Sequence, residues 1–157
     1  MRKKALIAYF SASGVTARAA REMATATGAD LYEIRPQQPY THADLDWTVK
    51  TSRSTLEMQD PACRPAIALP LPSMAEYDTV LIGFPIWWYV EPRIVDTFLE
   101  SCDFTGKTLI PFATSGGSGI ANAEKSLQAH CPAAKWEKGR LLSPSGAAEW
   151  ARHVLRD

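Results

Sequence analysis

The sequence predicts an α/β fold in which five parallel strands, ordered 2-1-3-4-5, lie between two layers of helices. Short apolar runs alternate with segments of helical spacing five times along the 157 residues. Strands joined through helices pair in parallel by right-handed crossovers, which puts helices on both faces of the sheet. The most unusual loops follow the first, third and fourth runs, and this strand order brings them to one edge.

Lys4 to Phe10 is a short apolar run bounded by small polar residues, a buried first strand. The loop Ser11-Ala12-Ser13-Gly14-Val15-Thr16 follows, and apolar residues at 15, 19, 20, 23 and 24 then fall at helical spacing. Ser13 is the expected N-cap. Such a loop suits a phosphate, because first-turn amides have no helical partner and the helix dipole favours an anion. The same residues also serve as ordinary cap and turn residues, and the loop alone does not separate these readings. The Gly-Lys-Ser/Thr ending of a P-loop is absent, and a single glycine does not make a G-x-G-x-x-G fingerprint.

Asp30 to Arg35 reads as strand two, ended by Pro36 and Pro39. Residues 40–73 are the least regular stretch. Ala43 to Met58 is polar and helical in part, Asp60-Pro61 stops it, and Pro65, Pro70 and Pro72 mark extended chain. A connection of this length in a compact domain is functional or wraps a site. Strand three, Thr79 to Ile82, runs into Gly83-Phe84-Pro85-Ile86-Trp87-Trp88-Tyr89-Val90-Glu91-Pro92. Two tryptophans and a tyrosine therefore stand where a strand gives way to a helix. They suit a flat aromatic ligand, or they cap the core. Glu91-Pro92 opens a helix whose Ile94, Val95, Phe98, Leu99 and Cys102 form one apolar face. Strand four, Thr108 to Ala113, ends in Thr114-Ser115-Gly116-Gly117-Ser118-Gly119, with a helix to about Ala129. A short fifth strand lies around Trp136, and Ala147, Trp150, Ala151, Val154 and Leu155 mark the inner face of a closing helix.

The chain reads as one domain, 1–157, without repeats or low-complexity segments. Lysine plus arginine equals aspartate plus glutamate at 17 each, so the balance supports neither nucleic-acid nor membrane-surface binding. Cys63, Cys102 and Cys131 are odd in number and form no C-x-x-C pair, which suggests neither a disulfide framework nor a zinc site and fits reduced thiols in a cytoplasm best. The N-terminal apolar run is too short for a signal peptide. His42, His130 and His153 fall away from the three loops, with solvent or helix-end roles. Arg18 belongs on a solvated helix face and Cys102 in the core. No catalytic residue or metal ligand is assigned. The nucleophile-elbow pattern fails at Ile120.

The three loops divide a ligand chemically. The first suits a phosphate, the second a planar ring, and the third, with close-approaching backbone, the polar edge of that ring. Flavin mononucleotide (FMN) has all three parts, and there is no second phosphate loop for a dinucleotide. Tyr9 to Thr16, Gly83 to Trp88 and Thr114 to Gly119 resemble the three flavin-binding segments of the flavodoxins. The match is to the bacterial branch with Pro-Ile-Trp-Trp and Thr-Ser-Gly-Gly-Ser-Gly segments, and Asp46-Trp47, Ser52-Arg53-Ser54 and Arg64-Pro65 look like that branch too.

The resemblance implies a flavodoxin-like three-layer sandwich and a non-covalently bound FMN that carries electrons. By it, Ser11, Ala12, Ser13, Gly14, Val15 and Thr16 hold the phosphate. Pro85, Ile86, Trp87, Trp88 and Tyr89 line one side of the ring. Thr114, Ser115, Gly116, Gly117, Ser118 and Gly119 cover the other side and the pyrimidine edge. Two positions depart from the family pattern: Val15 stands where members often carry Asn, and Tyr89 where the branch often carries glycine. The implied partner is a redox protein or a small-molecule acceptor. The alternatives are an FMN-dependent NAD(P)H reductase of a quinone or other small molecule, and a non-redox binding module of the same fold.

Overall fold

Alternation builds the sheet into two faces. The computed structural model describes residues 4–114, 119–142 and 144–155. In β1 (Ala5–Tyr9), Ile7 and Tyr9 face one way, while Leu6 and Ala8 face the other. β3 (Thr79–Pro85) and β4 (Thr108–Thr114) repeat the pattern, with Leu81, Ile110 and Phe112 on the first face and Val80, Ile82, Phe84 and Leu109 on the second. These strands bury almost every side chain, as parallel strands covered on both faces must.

On the first face pack α1 (Val15–Thr27) and α5 (Pro144–Val154). Small residues line their contact with the sheet, with Ala19, Ala20, Ala147 and Ala151 all fully buried, so the helices lie close to it and to each other. On the second face pack α3 (Arg93–Ser101) and α4 (Ala121–His130), through Ile94, Val95, Phe98, Ala123 and Leu127. One glycine is dictated by this packing: a Cβ at Gly83 would fall inside the Phe112 ring.

The strand order is β2-β1-β3-β4-β5, all parallel, with β2 spanning Asp30–Glu33. It is the expected 2-1-3-4-5 order. The fifth position is filled by two short pieces rather than one strand. β5 (Lys135–Trp136) pairs with Thr108 and Leu109, and β6 (Arg140–Leu141) pairs with Phe112 and Ala113. Pro111 explains the break. The carbonyls of Lys107, Leu109 and Ala113 accept from the fifth-strand side, so Pro111 turns its missing N–H to that same edge.

The long connection is mostly irregular, as its prolines require. Turns occupy most of 42–51, and one short helix, α2 (Arg53–Gln59), follows. Its return to the sheet is fixed by a bridge between Pro36 and Ile67 and by the bidentate Arg64–Glu100 pair at 2.9 and 3.0 Å.

Candidate functional site

The N-terminus of α1 is open to an anion. No side chain caps it, and no acidic residue lies in its first turn. Its cap position is Gly14, not the expected Ser13. Gly14 holds φ at 96°, in the left-handed region, and its amide donates to Ser11 Oγ at 3.1 Å. A Cβ there would meet nothing within 4 Å, so the glycine answers to backbone angle rather than space. Ser13, Gly14 and Val15 are exposed around this turn, while Ser11 and Ala12 are half-buried. Uncapped first-turn amides and the helix dipole make a site for a phosphate. Thr16 differs from the rest of the loop. It is 2% exposed, and its hydroxyl shares a 2.8 Å hydrogen bond with the hydroxyl of Thr114.

That bond ties the first loop to the end of the fourth strand. Thr114 is itself the last residue of β4 and buried, one residue beyond the strand end expected from sequence. Its carbonyl also accepts from the Ile86 amide at 2.9 Å, and Gly83 accepts from the Phe10 amide at 2.9 Å. The ends of β1, β3 and β4 are thus cross-linked at one edge. Ser115, Gly116, Gly117 and Ser118 lie outside the described residues. Gly119 is exposed just before α4, and Ile120 packs on the core.

The aromatic loop is a two-residue hairpin. Trp87 and Val90 exchange backbone hydrogen bonds of 2.9 and 3.2 Å. Trp88 and Tyr89 between them both have positive φ, 47° and 74°. This turn normally takes Asn or Gly, because a Cβ crowds the neighbouring carbonyl. Pro85, Ile86 and Trp87 are half-buried, whereas Trp88 is 42% and Tyr89 63% exposed. Two large apolar rings are therefore held out at the cross-linked edge by a strained turn.

Two side-chain groupings here are not visible in the sequence. The first joins the long connection to the aromatic loop. Tyr40 packs edge-on against both Phe10 and Trp87, its hydroxyl donates to Glu57 Oε1, and Arg53 covers its ring at 3.8 Å. The second follows the hairpin in the chain, between α3 and α4. Glu91 and Asp96 are fully buried, and His130 Nδ1 is 3.8 Å from Glu91 Oε2 and 3.6 Å from Asp96 Oδ1. His130 is a helix-end residue, as expected, but it faces this acidic pair rather than solvent. Its Nδ1 donates to the Ser126 carbonyl at 2.7 Å, so that nitrogen is not a free metal ligand. Ser126 Oγ donates to Glu91 Oε2 at 2.8 Å, while Glu91 Oε1 and both Asp96 oxygens accept no hydrogen bond. Burial, then the neighbouring Asp96, pushes the Glu91 carboxyl up to about 9, and burial also raises Asp96. Polar atoms of Glu91, Asp96 and His130 lie within 4.8 Å of one another, close enough for the two acids to disfavour each other's ionised form. Tyr40 and Glu57, like Glu91 and His130, are too far apart in sequence for any local pattern to join them. Elsewhere the expectations for single residues are met in kind: Arg18 is exposed and Cys102 half-buried against the core.

Among the described residues no helix is long and apolar enough to cross a membrane. The flavodoxin family model matches residues 4–154. A crystal structure of a protein assigned as a flavoprotein from Bacteroides uniformis is 55% identical, with TM-score 0.91, covering 97% of this chain and 99% of that one. Another, from Bacteroides eggerthii, is 49% identical with TM-score 0.91, covering 99% of each chain. A Lactobacillus acidophilus flavoprotein solved in complex with FMN is similar in fold, at 21% identity and TM-score 0.75, covering 95% of this chain and 99% of that one. No curated protein matches the chain.

Proposed function

Since this chain belongs to the flavodoxin family, we propose that it binds FMN at its three converging loops and passes electrons through it. The observation that carries this reading is the cross-linked edge: Thr16 to Thr114 and Ile86 to Thr114 bring an uncapped helix N-terminus beside a projecting aromatic hairpin. Each part fits a portion of FMN, and the L. acidophilus flavoprotein of similar fold is solved with FMN.

The residues divide the work. First-turn amides of α1 receive the phosphate. Ser11 Oγ already accepts from Gly14, which leaves its own hydrogen to donate outward. Thr16 is buried and shares a hydrogen bond with Thr114 in which either hydroxyl can donate, so its first part is to hold two loops together. Trp87, Trp88 and Tyr89 cover one face of the ring and exclude water there. A drier face raises the cost of added negative charge, so these side chains lower the potential at which the ring takes electrons. The electron chemistry itself is the flavin's own.

Titration of the purified protein with FMN, followed by flavin absorbance and fluorescence, tests the reading. One equivalent is expected to bind at micromolar concentration or below, on the order of −8 kcal/mol. Riboflavin, which lacks the phosphate, is expected to bind at least about tenfold more weakly. No FMN binding defeats the proposal. Equal affinity for the two flavins defeats the phosphate assignment alone.

A further inference from the structure

We infer that Tyr40 is a positioning residue for the cofactor site: clamped by Arg53 and Glu57, its ring fixes Trp87, so the connection between β2 and β3 holds the aromatic wall of the site. This rests on the reading that the Trp87 hairpin faces the flavin.

Three rings form a closed triangle. Phe10 and Trp87, Phe10 and Tyr40, and Tyr40 and Trp87 are each 5.6 Å apart between centroids, at 90°, 61° and 75°. All three are edge-to-face contacts, the favourable arrangement for aromatic pairs. Phe10, just after β1, is 1% exposed and packed in the core. Trp87 is half-buried at the start of the strained hairpin, so its place depends on what packs beside it.

Tyr40 is held from two sides. The Arg53 guanidinium lies 3.8 Å from its ring centroid. Its hydroxyl donates to Glu57 Oε1, and Glu57 Oε2 accepts from Arg53 Nε at 2.9 Å. Arg53 Nη1 donates to the Gln38 carbonyl at 2.7 Å, which closes the clamp onto the backbone beside Tyr40. Burial and the Glu57 carboxylate raise the Tyr40 phenol far above the usual tyrosine range, so it stays a donor.

The clamp is not all that holds the connection in place. The Pro36–Ile67 bridge closes it on itself just after β2, and the Arg64–Glu100 pair and the Arg93 guanidinium, which donates to the Glu57 and Met58 carbonyls, tie it to α3. Losing the Tyr40 hydroxyl therefore loosens one ring without freeing the segment.

The test compares Tyr40→Phe with Tyr77→Phe in the full chain. Tyr77 also donates to a carboxylate, Asp30 Oδ2 at 2.8 Å, but at the opposite end of the strands. The measurements are the Trp87 indole NMR signal in flavin-free protein, assigned with Trp87→Phe, and then FMN affinity and midpoint potential. Tyr40→Phe is expected to shift the Trp87 signal, weaken FMN roughly tenfold and move the potential. Tyr77→Phe is expected to lower the melting temperature with affinity within about twofold of the unaltered protein. Arg53→Lys keeps the charge but not the planar cover, and is expected to shift Trp87 as well. A Trp87 signal and FMN affinity in Tyr40→Phe and Arg53→Lys no different from those of Tyr77→Phe would overturn the inference. An unaltered protein that binds no FMN sinks the cofactor reading instead, and the flavin-free Trp87 signal still decides whether Tyr40 positions it.

Discussion

Tyr89 holds a backbone angle that suits glycine, and it does so in the open. Its φ of 74°, beside 47° at Trp88, costs about 1–2 kcal/mol for a side chain with a Cβ. At 63% exposure, its ring recovers little of that by burial in the flavin-free protein. Strain kept at an exposed position is a mark of use. Tyr89→Gly is expected to stabilise the flavin-free protein by about 1 kcal/mol, read as a higher urea midpoint. An unchanged or lower midpoint would mean that the Tyr89 ring has native contacts worth more than its strain. The residue itself could be picked out from sequence, because it breaks the glycine habit of the branch it resembles. That Trp88 shares the strain could not, since a two-residue hairpin is set by the hydrogen bonds of Trp87 and Val90 on either side.

Between α3 and α4 a buried acid pair makes helix packing depend on pH. Glu91 and Asp96 lie on α3 or just before it, facing Ser126 and His130 from α4. Arg93 is 4.0 Å from Asp96, and Arg64 from the long connection lies nearby, paired with Glu100 of α3. The folded state raises the Glu91 carboxyl to about 9 from an ordinary 4.5, burial being the main cause. The folded protein therefore keeps a proton that the unfolded chain has released. Its contribution is fully present below about pH 4.5 and is lost as pH rises toward about 9. Denaturant melts across this range are expected to show the decline, and Glu91→Gln, which has no proton to release, to flatten it. A slope unaltered in Glu91→Gln would place the pH dependence on other groups.

As a whole the molecule carries no net charge, with 17 basic and 17 acidic residues. A carrier that docks by a strong field would show it here. Electron transfer from the reduced protein to ferricyanide is accordingly expected to vary by less than about twofold between roughly 10 mM and 500 mM salt in stopped flow. A steep salt dependence would reveal a charged patch around the ring edge that the overall balance conceals. The long connection acts at this scale too. Composition marks residues 40–73 as prolines and polar turns, but the segment's place beside the aromatic hairpin depends on Tyr40 meeting Phe10 and Trp87 across the fold.

The order of elements, the three loops and the chemistry each offers were written in the sequence, because they rest on local facts. Alternation, helical spacing, the glycine at position 14 and the tryptophans at 87 and 88 are all read within a few residues. The tertiary structure decided the rest. It moved the cap from Ser13 to Gly14, broke the fifth strand at Pro111, bound Thr16 to Thr114, and set Tyr40 and His130 beside partners far along the chain. A side chain's partner is chosen by which surfaces the fold buries together, and no stretch of neighbouring residues contains that choice.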